Sequence, residues 1–512
     1  MADRLRADLV AAGYTVDGVL DRVGAAAHAA LPHDGGAAVR HVLRETSDPC
    51  AVLIRAWTLG EPVAGTHLAG ALPRTGLTGL TSLGLIAPAG AGRVRATCDV
   101  RPYAVQSGAG VLDTWLVSDF GESVIGGPLP PDHVLGVGGA SLTLSSWTPR
   151  TAVGRALDLG TGCGVQAVAL ARHADQVVAT DLDERALRYA RLTAALAGQT
   201  WDLRQGDLFE PVTGERFDLI VANPPFVITP RTSEVPRYTY RDGGRAGDEL
   251  MGTLIRACVD HLEPGGVAQF LGNWEIPVGA DHWSHRPEAW LADTELDAWV
   301  IQRDVAEPAE YAHTWIRDGG HRPGMAGYQE LTDAWLDDFA RRAVAAVGFG
   351  VLTVSRPGAV GAAGSSGDRS PYRVFEEVLT PVAEPMGPAV AAGLAARRWL
   401  ADHPEAAVLD RAWRCAPDVL EERYGVPGAA DPAVIRLTQG GGLRRTVTLD
   451  TVGAAVIGVG DGSLTAGQAL TAVCAILRED PCAHRAQVID LLRTLIADAL
   501  LIPADGVPTP GG

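Results

Sequence analysis

Between Arg155 and about Pro357, short apolar runs alternate with stretches of helical period. On either side of that region helical period dominates. The short runs are Arg155–Leu159, Gln176–Thr180, Phe217–Ala222, Val267–Leu271, Leu296–Ile301 and Phe349–Ser355. They are too short for helices and rich in β-branched residues, so they read as buried strands. A helix over Val165–His173 follows the first. Asp183 is placed to cap a second helix that carries Leu187, Ala190 and Ala194 on one face and stops at Gly198. A third, roughly Gln329–Val347, brings Leu331, Trp335 and Phe339 together. Strand and helix in alternation predict a doubly wound α/β domain over residues 151–357.

The flanks differ. In residues 1–118, Leu5, Leu9 and Val10 line one helix face, and His41–Arg44 and Ala51–Trp57 belong to two more helices. The stretch LTSLGLIAPAGAGRVRATCDVRPY then reads as a helix followed by a β-hairpin, which suggests a winged-helix-like domain. Residues 119–150, with strand-like runs in HVLGVGGASLTLSSW, read as a connector, and GAVGAAGSSGDRS (358–370) as a flexible linker. Residues 371–512 predict a second mostly helical, winged-helix-like domain. It has a hairpin candidate at Gly442–Leu449, a helix opened by GDGSLTAGQAL and a last amphipathic helix bearing Val488, Leu491, Leu492 and Leu495.

Composition narrows the function. The chain has 512 residues and a formal net charge of −18, which argues against broad electrostatic clamping of DNA or RNA. No apolar run is long enough to span a membrane, and the mixed-charge N-terminus does not read as a signal peptide. Seven cysteines lack C-x-x-C pairing, which predicts reduced thiols in a cytoplasmic setting and no metal site. There is no Lys, so all 43 basic residues are Arg, and Asn occurs only at 223 and 273. GC-rich codon usage accounts for both scarcities. Each surviving Asn is therefore a candidate for a role that Asp, Gln or Ser cannot fill.

The chemistry begins at Ala156-Leu157-Asp158-Leu159-Gly160-Thr161-Gly162-Cys163-Gly164, between a strand and a helix. A glycine-rich turn there lets backbone approach a nucleotide-like ligand. Val165 stands where a dinucleotide fingerprint needs its third glycine. Asp158 would repel a diphosphate but suits an ammonium group. Asp181, at the end of the second strand, is placed to accept from ribose hydroxyls. Asp207 is placed to accept from an adenine amino group, with Leu208 against the ring. An adenosine carrying a cationic amino acid and no phosphate satisfies all of these.

The motif Asn223-Pro224-Pro225-Phe226 then closes the strand Phe217–Ala222. With the glycine turn, it makes residues 155–357 resemble a class I S-adenosylmethionine-dependent methyltransferase of the Asn-Pro-Pro-aromatic group. That group includes release-factor glutamine and nucleobase amino-group N-methyltransferases. The resemblance implies S-adenosylmethionine held by Asp158, Gly160, Thr161, Gly162, Gly164, Asp181, Leu182, Asp207, Leu208 and Asn223. It implies chemistry at Asn223, Pro224, Pro225 and Phe226.

An amide or aromatic amine is a poor nucleophile because its lone pair is delocalised. The Asn223 side-chain oxygen and the Pro224 carbonyl would hold its N–H groups and aim the lone pair at the methyl group. Phe226 offers a face to a planar substrate. Tyr240–Leu250 resembles the glycine-rich loop of glutamine methyltransferases and reads as a lid, while Asn273 is placed at the same sheet edge.

The reading is an N-methyltransferase acting on a planar nitrogen of a macromolecule, a protein glutamine or an RNA base, with the acidic charge favouring protein. A small-molecule methyltransferase of a biosynthetic pathway is the alternative. A hairpin bearing Arg93, Arg95 and Arg101 is a candidate dock for an acidic partner.

Overall fold

The computed structural model describes residues 1–34, 36–107, 110–127, 129–232, 235–358, 370–428 and 431–505. The linker expected at 358–370 therefore lies almost wholly outside the described residues. The chain forms two compact units. One comprises Met1–Ser145, Ala152–Leu296 and Val300–Ala359, and the other Ser146–Thr151, Asp297–Trp299 and Val360–Gly512.

The first unit is built on a twisted sheet. Seven of the sheet's eight strands lie wholly or mostly in this unit: β1 (Val153–Leu159), β2 (Ala174–Asp181), β3 (Asp202–Gln205), β4 (Phe217–Ala222), β5 (Leu262–Pro277), β6 (Asp297–Ala306) and β7 (Val344–Ser355), in the order β3-β2-β1-β4-β5-β7-β6. Strands β3, β2, β1, β4 and β5 pair in parallel, and β7 returns antiparallel to β5. Each of the six runs anticipated from apolar patterning lies within or across one of these strands. The order reverses between β2 and β4, on either side of β1. In doubly wound sheets a ligand crevice opens at such a reversal, beyond the carboxyl ends of the strands.

Helix α1 (Val165–Leu170) leaves the β1 turn, and α2 (Glu184–Ala197) follows β2. Asp183 caps α2 by accepting from the Arg185 N–H, and Gly198 ends it at φ 67°. Leu187, Ala190 and Ala194 are buried on its inner face. Further along come α3 (Glu249–His261), α4 (Pro308–Asp318) and α5 (Tyr328–Arg341). The helix expected over Gln329–Val347 stops at Arg341 because Ala343 adopts φ 52° and β7 begins at Val344. Likewise α1 ends at Leu170 rather than His173.

Residues 1–118 form short helices, among them Gly65–Ala71 and Gly76–Ser82, then a hairpin of Ile86–Pro88 with Arg93–Ala96. Leu5 and Leu9 are buried, but Val10 is 60% exposed, because it falls about 100° round the helix from Leu9. Arg101 does not belong to the hairpin of Arg93 and Arg95. It starts a separate ribbon, Asp99–Ser107 paired with Gly110–Ser118, where it forms an ion pair with Asp99. That ribbon docks on α2, with the Val117 N–H donating to Thr193 Oγ1 at 3.1 Å. The strand-like run in 133–147 is instead a loop followed by a helix, Gly139–Trp147. Ser141, Leu144, Ser145 and Trp147 are its buried positions, so three-and-four spacing prevails over the short alternation.

In the second unit, a three-stranded antiparallel sheet of Val419–Tyr424, Val434–Gln439 and Thr446–Leu449 accompanies four helices, Gly387–Asp402, Thr451–Gly458, Ala466–Leu477 and Pro481–Ala497. Thr465 and Gln468 form a reciprocal capping box at the start of the third of these. Val488, Leu492 and Leu495 of the last helix are buried in the unit's core, with Leu491 packed against it.

One backbone position tests the turn on which the site is built. Gly164 has φ 90°, and a Cβ there would stand 2.7 Å from the Trp201 ring. Gly164→Ala combines a left-handed penalty with overpacking and should destabilise the protein by about 2–4 kcal/mol. Urea unfolding of the variant should show that loss; an unchanged midpoint would refute the packing argument.

Candidate functional site

A cavity of about 560 Å³ opens at the carboxyl ends of β1, β2 and β4. Asp158, Gly160, Thr161, Gly162, Asp181, Leu182, Asp207, Leu208, Asn223, Pro224 and Pro225 all line it. Gly164 and Phe226 do not. Gly164 sits behind the turn, against Trp201. Phe226 is half-buried and meets Trp315 edge-on, with ring centroids 6.4 Å apart.

The glycine turn is held from two sides. Asp158 is buried, and its Oδ2 accepts from Thr161 Oγ1 at 2.6 Å and from the Ala167 N–H at 2.9 Å. Asp181 Oδ2 accepts from the Gly162 N–H at 2.8 Å, and its Oδ1 from the Asp183 N–H at 2.9 Å. Gly160 and Gly162 have φ of 73° and 54°, and a Cβ on either would meet no protein atom. Side chains there would be strained and would project into open space beside the cavity.

Burial raises both carboxylates. Asp158 is pushed up to about 7 by desolvation, against the lowering effect of its hydrogen bonds. Asp181 is also raised, chiefly by burial, with its backbone hydrogen bonds opposing. A buried carboxylate poised in this way gains most from a cationic partner. Buried carboxylates beside a glycine turn fit S-adenosylmethionine, which Asp158, Asp181, Leu182, Asp207 and Leu208 would hold.

The Asn-Pro-Pro-Phe turn forms the opposite wall. Asn223 Oδ1 is buried and has no hydrogen-bond partner. The Pro224 carbonyl accepts from the Phe226 N–H at 2.7 Å, which uses one of its lone pairs and leaves the other. Asn273 does not reach the cavity. It is fully buried in β5, and its amide donates to Tyr311 Oη at 2.5 Å. The same oxygen takes the Ile228 N–H at 2.9 Å, so Asn273 pins the chain leaving the Phe226 turn. An Asp could not donate to that phenol oxygen, which gives this rare Asn its reason.

One group of lining residues was missed from the sequence. His133, Val134, Leu135, Gly136 and Ser141 come from the stretch read as a connector. Asp119 organises them, since its Oδ2 accepts from the Val134 N–H while its Oδ1 takes Arg185 and the Tyr189 hydroxyl. Gln166, in α1, donates to the Ser141 carbonyl. The cluster of glycines after His133 was the available signal. The lid candidate Tyr240–Leu250 does line the cavity, through Tyr240, Asp242, Gly243, Gly244, Arg245 and Leu250. Its ends are tied down by Arg241 to Asp318 and by Asp248 to Arg286.

Among known proteins, residues 137–279 match the methyltransferase small domain family, and residues 11–97 match a domain of unknown function (DUF7059). Residues 137–279 therefore resemble a methyltransferase small domain, and they lie on the sheet described above.

The curated relatives include the ribosomal RNA small subunit methyltransferase C of Enterobacter sp. (strain 638), 37% identical over 141 residues. That stretch is 27% of this chain and 36% of the relative. The same-named protein of Salmonella arizonae is 36% identical over the same shares. The chain thus spans little more than a third of the length of these relatives. Among solved structures, a T. thermophilus 16S rRNA methyltransferase in complex with AdoMet and guanosine is 17% identical, with a TM-score of 0.27 over 55% of this chain and 60% of that one. Among the described residues no helix is long and apolar enough to cross a membrane, and all seven cysteines are unpaired.

With Asp158 raised to about 7, cofactor binding through it should depend on pH. An ammonium group pairs with the ionised form only, so affinity should fall as pH drops below about 7, approaching tenfold per unit. Asp158→Asn should bind weakly at every pH. By linkage, the folded form without ligand holds a proton that the unfolded chain releases, so this group's contribution to stability should grow as pH falls through 7. Calorimetric titrations at pH 6, 7 and 8 test the first claim; a flat wild-type profile would refute it. In the same assay, Asp181→Ala should weaken cofactor binding by about 1–3 kcal/mol.

Proposed function

We propose that the protein is an N-methyltransferase that modifies the exocyclic amino group of a base in ribosomal RNA. The observation that carries this reading is the orphaned Asn223 oxygen, fixed by two prolines at the wall of the glycine-turn cavity. When bound, S-adenosylmethionine supplies a methyl group on a cationic sulfur. This chain's residues supply orientation. Asn223 Oδ1 takes one N–H of the target amine, and the second lone pair of the Pro224 carbonyl is available to the other. Held so, the nitrogen lone pair turns toward the methyl group. The nitrogen becomes acidic as it is alkylated and gives its proton to water, so no strong base is needed.

The choice of RNA rests on the curated relatives, whose printed name is that of a ribosomal RNA methyltransferase. Net charge alone favours a protein acceptor, but an extruded base needs only a local pocket with hydrogen-bonding and stacking groups. Those relatives lend nothing to a small-molecule acceptor. Residues 1–118 and 371–512 are assigned the task of positioning the target.

Asn223→Ala should leave cofactor affinity within a few fold while turnover falls about 10²–10³-fold, the cost of one preorganised polar contact to a transition state. Asn223→Asp should also lose turnover although it keeps an acceptor oxygen, because its charge stabilises the cationic ground state. Tritiated-methyl transfer into RNA from a deletion strain, with calorimetry on each variant, makes the measurement. Parallel loss of cofactor binding and thermal stability would reduce Asn223 to a structural role.

A further inference from the structure

Residues 62–98 contain no Asp and no Glu, although acids are 61 of the 512 residues and the net charge is −18. They contain no Phe, Trp or Tyr either. The stretch folds into the two helices Gly65–Ala71 and Gly76–Ser82 and the hairpin of Ile86–Pro88 with Arg93–Ala96. Its arginines are Arg74, Arg93 and Arg95, of which Arg74 is taken by the buried Asp8.

The hairpin and α2 bring their cations to one place. Arg93, Arg95 and Thr97 alternate with Val94 and the buried Ala96, so these three exposed residues share a face. Thr97 Oγ1 donates to the Gly84 carbonyl at 2.5 Å. A Cβ on Gly84 would lie 3.8 Å from Arg188 Nη2, which arrives from α2. Arg95 and Arg188 are exposed, and among the described residues neither side chain has a hydrogen-bond or ion-pair partner. The nearest acid along α2 is Glu184, one turn before Arg188. The same helix begins at the cavity, where Asp183 and Ala186 are lining residues. Arg188 follows two residues later, about 3 Å further along the axis.

The character of this face selects its partner. A protein partner would need apolar anchors, and the exposed large hydrophobic side chains of the described residues all lie outside 62–98. A single RNA strand would need aromatic rings on which its bases stack, and the stretch has none. What it offers is guanidinium groups and, on the outer face of the second helix, the exposed Thr78 and Thr81. Such groups bind phosphate and sugar hydroxyls without reading a base. Repulsion from the acidic remainder of the chain is screened within about 10 Å at 0.1 M salt, so a local cationic face can act.

We propose that the face formed by Arg93, Arg95 and Arg188 grips the sugar–phosphate backbone of a double-stranded RNA stem beside the cavity. This rests on the reading that the site modifies an RNA base. It adds the surface that holds the RNA outside the cavity and the form of RNA it holds.

The probe is a fluorescein-labelled RNA duplex of about 20 base pairs, titrated with the full chain while anisotropy is read at several salt concentrations. Arg95→Ala/Arg188→Ala should weaken binding at least tenfold and lower the slope of log affinity against log salt by about 2. Arg93 is left in place because it also holds the Pro62 carbonyl. A control, Arg341→Ala/Arg423→Ala, removes the same charge at two exposed arginines elsewhere and should stay within twofold of wild type. Failure of wild type to bind the duplex, an unchanged double variant, or equal loss in the control would overturn the proposal.

Methyl transfer into RNA from a deletion strain separates docking from chemistry. The Arg95/Arg188 variant should raise KM at least tenfold, with kcat, cofactor affinity and melting temperature close to wild type. An unchanged KM would overturn the docking role and leave the RNA-base reading standing. Label confined to protein would overturn that reading, and the duplex titration would then decide this surface by itself.

Discussion

The site depends on one arrangement, two carboxylates at the ends of adjacent parallel strands gripping a single glycine turn. Asp158 ties Thr161 and the first turn of α1 to the end of β1, and Asp181 ties Gly162 to the end of β2. Each spends its accepting capacity on backbone or hydroxyl donors and so fixes a loop that would otherwise be free to move. The grip also places two negative groups in a poorly solvated crevice, raising both. Burial, which those hydrogen bonds only partly offset, creates a demand for positive charge there.

The opposite wall is fixed by a different device. The Asn-Pro-Pro-Phe segment leaves β4, and its onward chain is held at Ile228 by a buried phenol, Tyr311, which Asn273 also supports. Tyr311 packs among Trp335, Phe339 and Phe349, so the loop is referred to an aromatic core rather than to solvent-exposed contacts. Orientation of a weak nucleophile requires this rigidity, since a displacement of about 1 Å in a reacting group can cost a hundredfold in rate. Asn273 thus contributes at a distance, as a positioning residue rather than a member of the wall.

The polar groups without partners gain meaning in this setting. Hydrogen bonding satisfies the great majority of buried polar atoms, so a buried oxygen with no partner asks for an explanation. Asn223 Oδ1 belongs to the wall of the cavity, and under the proposed function a planar donor-bearing substrate answers for it. Asn273 Oδ1 is also without a partner but lies inside the protein, away from the cavity. Location separates a recognition group from an internal one.

Period and spacing were enough to find six of the seven strands β1–β7, the caps of α2, the glycine turn and the Asn-Pro-Pro-Phe motif. These are properties of neighbouring residues. A strand announces itself by its own apolar run, a cap by Asp183 before a helical pattern, and a ligand turn by glycines between strand and helix. What the sequence could not assign were the partners that act across long separations. Asp119 organises residues from 133 onward and reaches Arg185 and Tyr189, and Asn273 meets Tyr311. Asp242 stands beside Phe226 through a backbone bridge. In each case the chemistry of the residue was visible and its neighbour was not. Local backbone preference decides turns and elements, whereas the closing of the sheet decides which distant side chains share a buried, poorly solvated space.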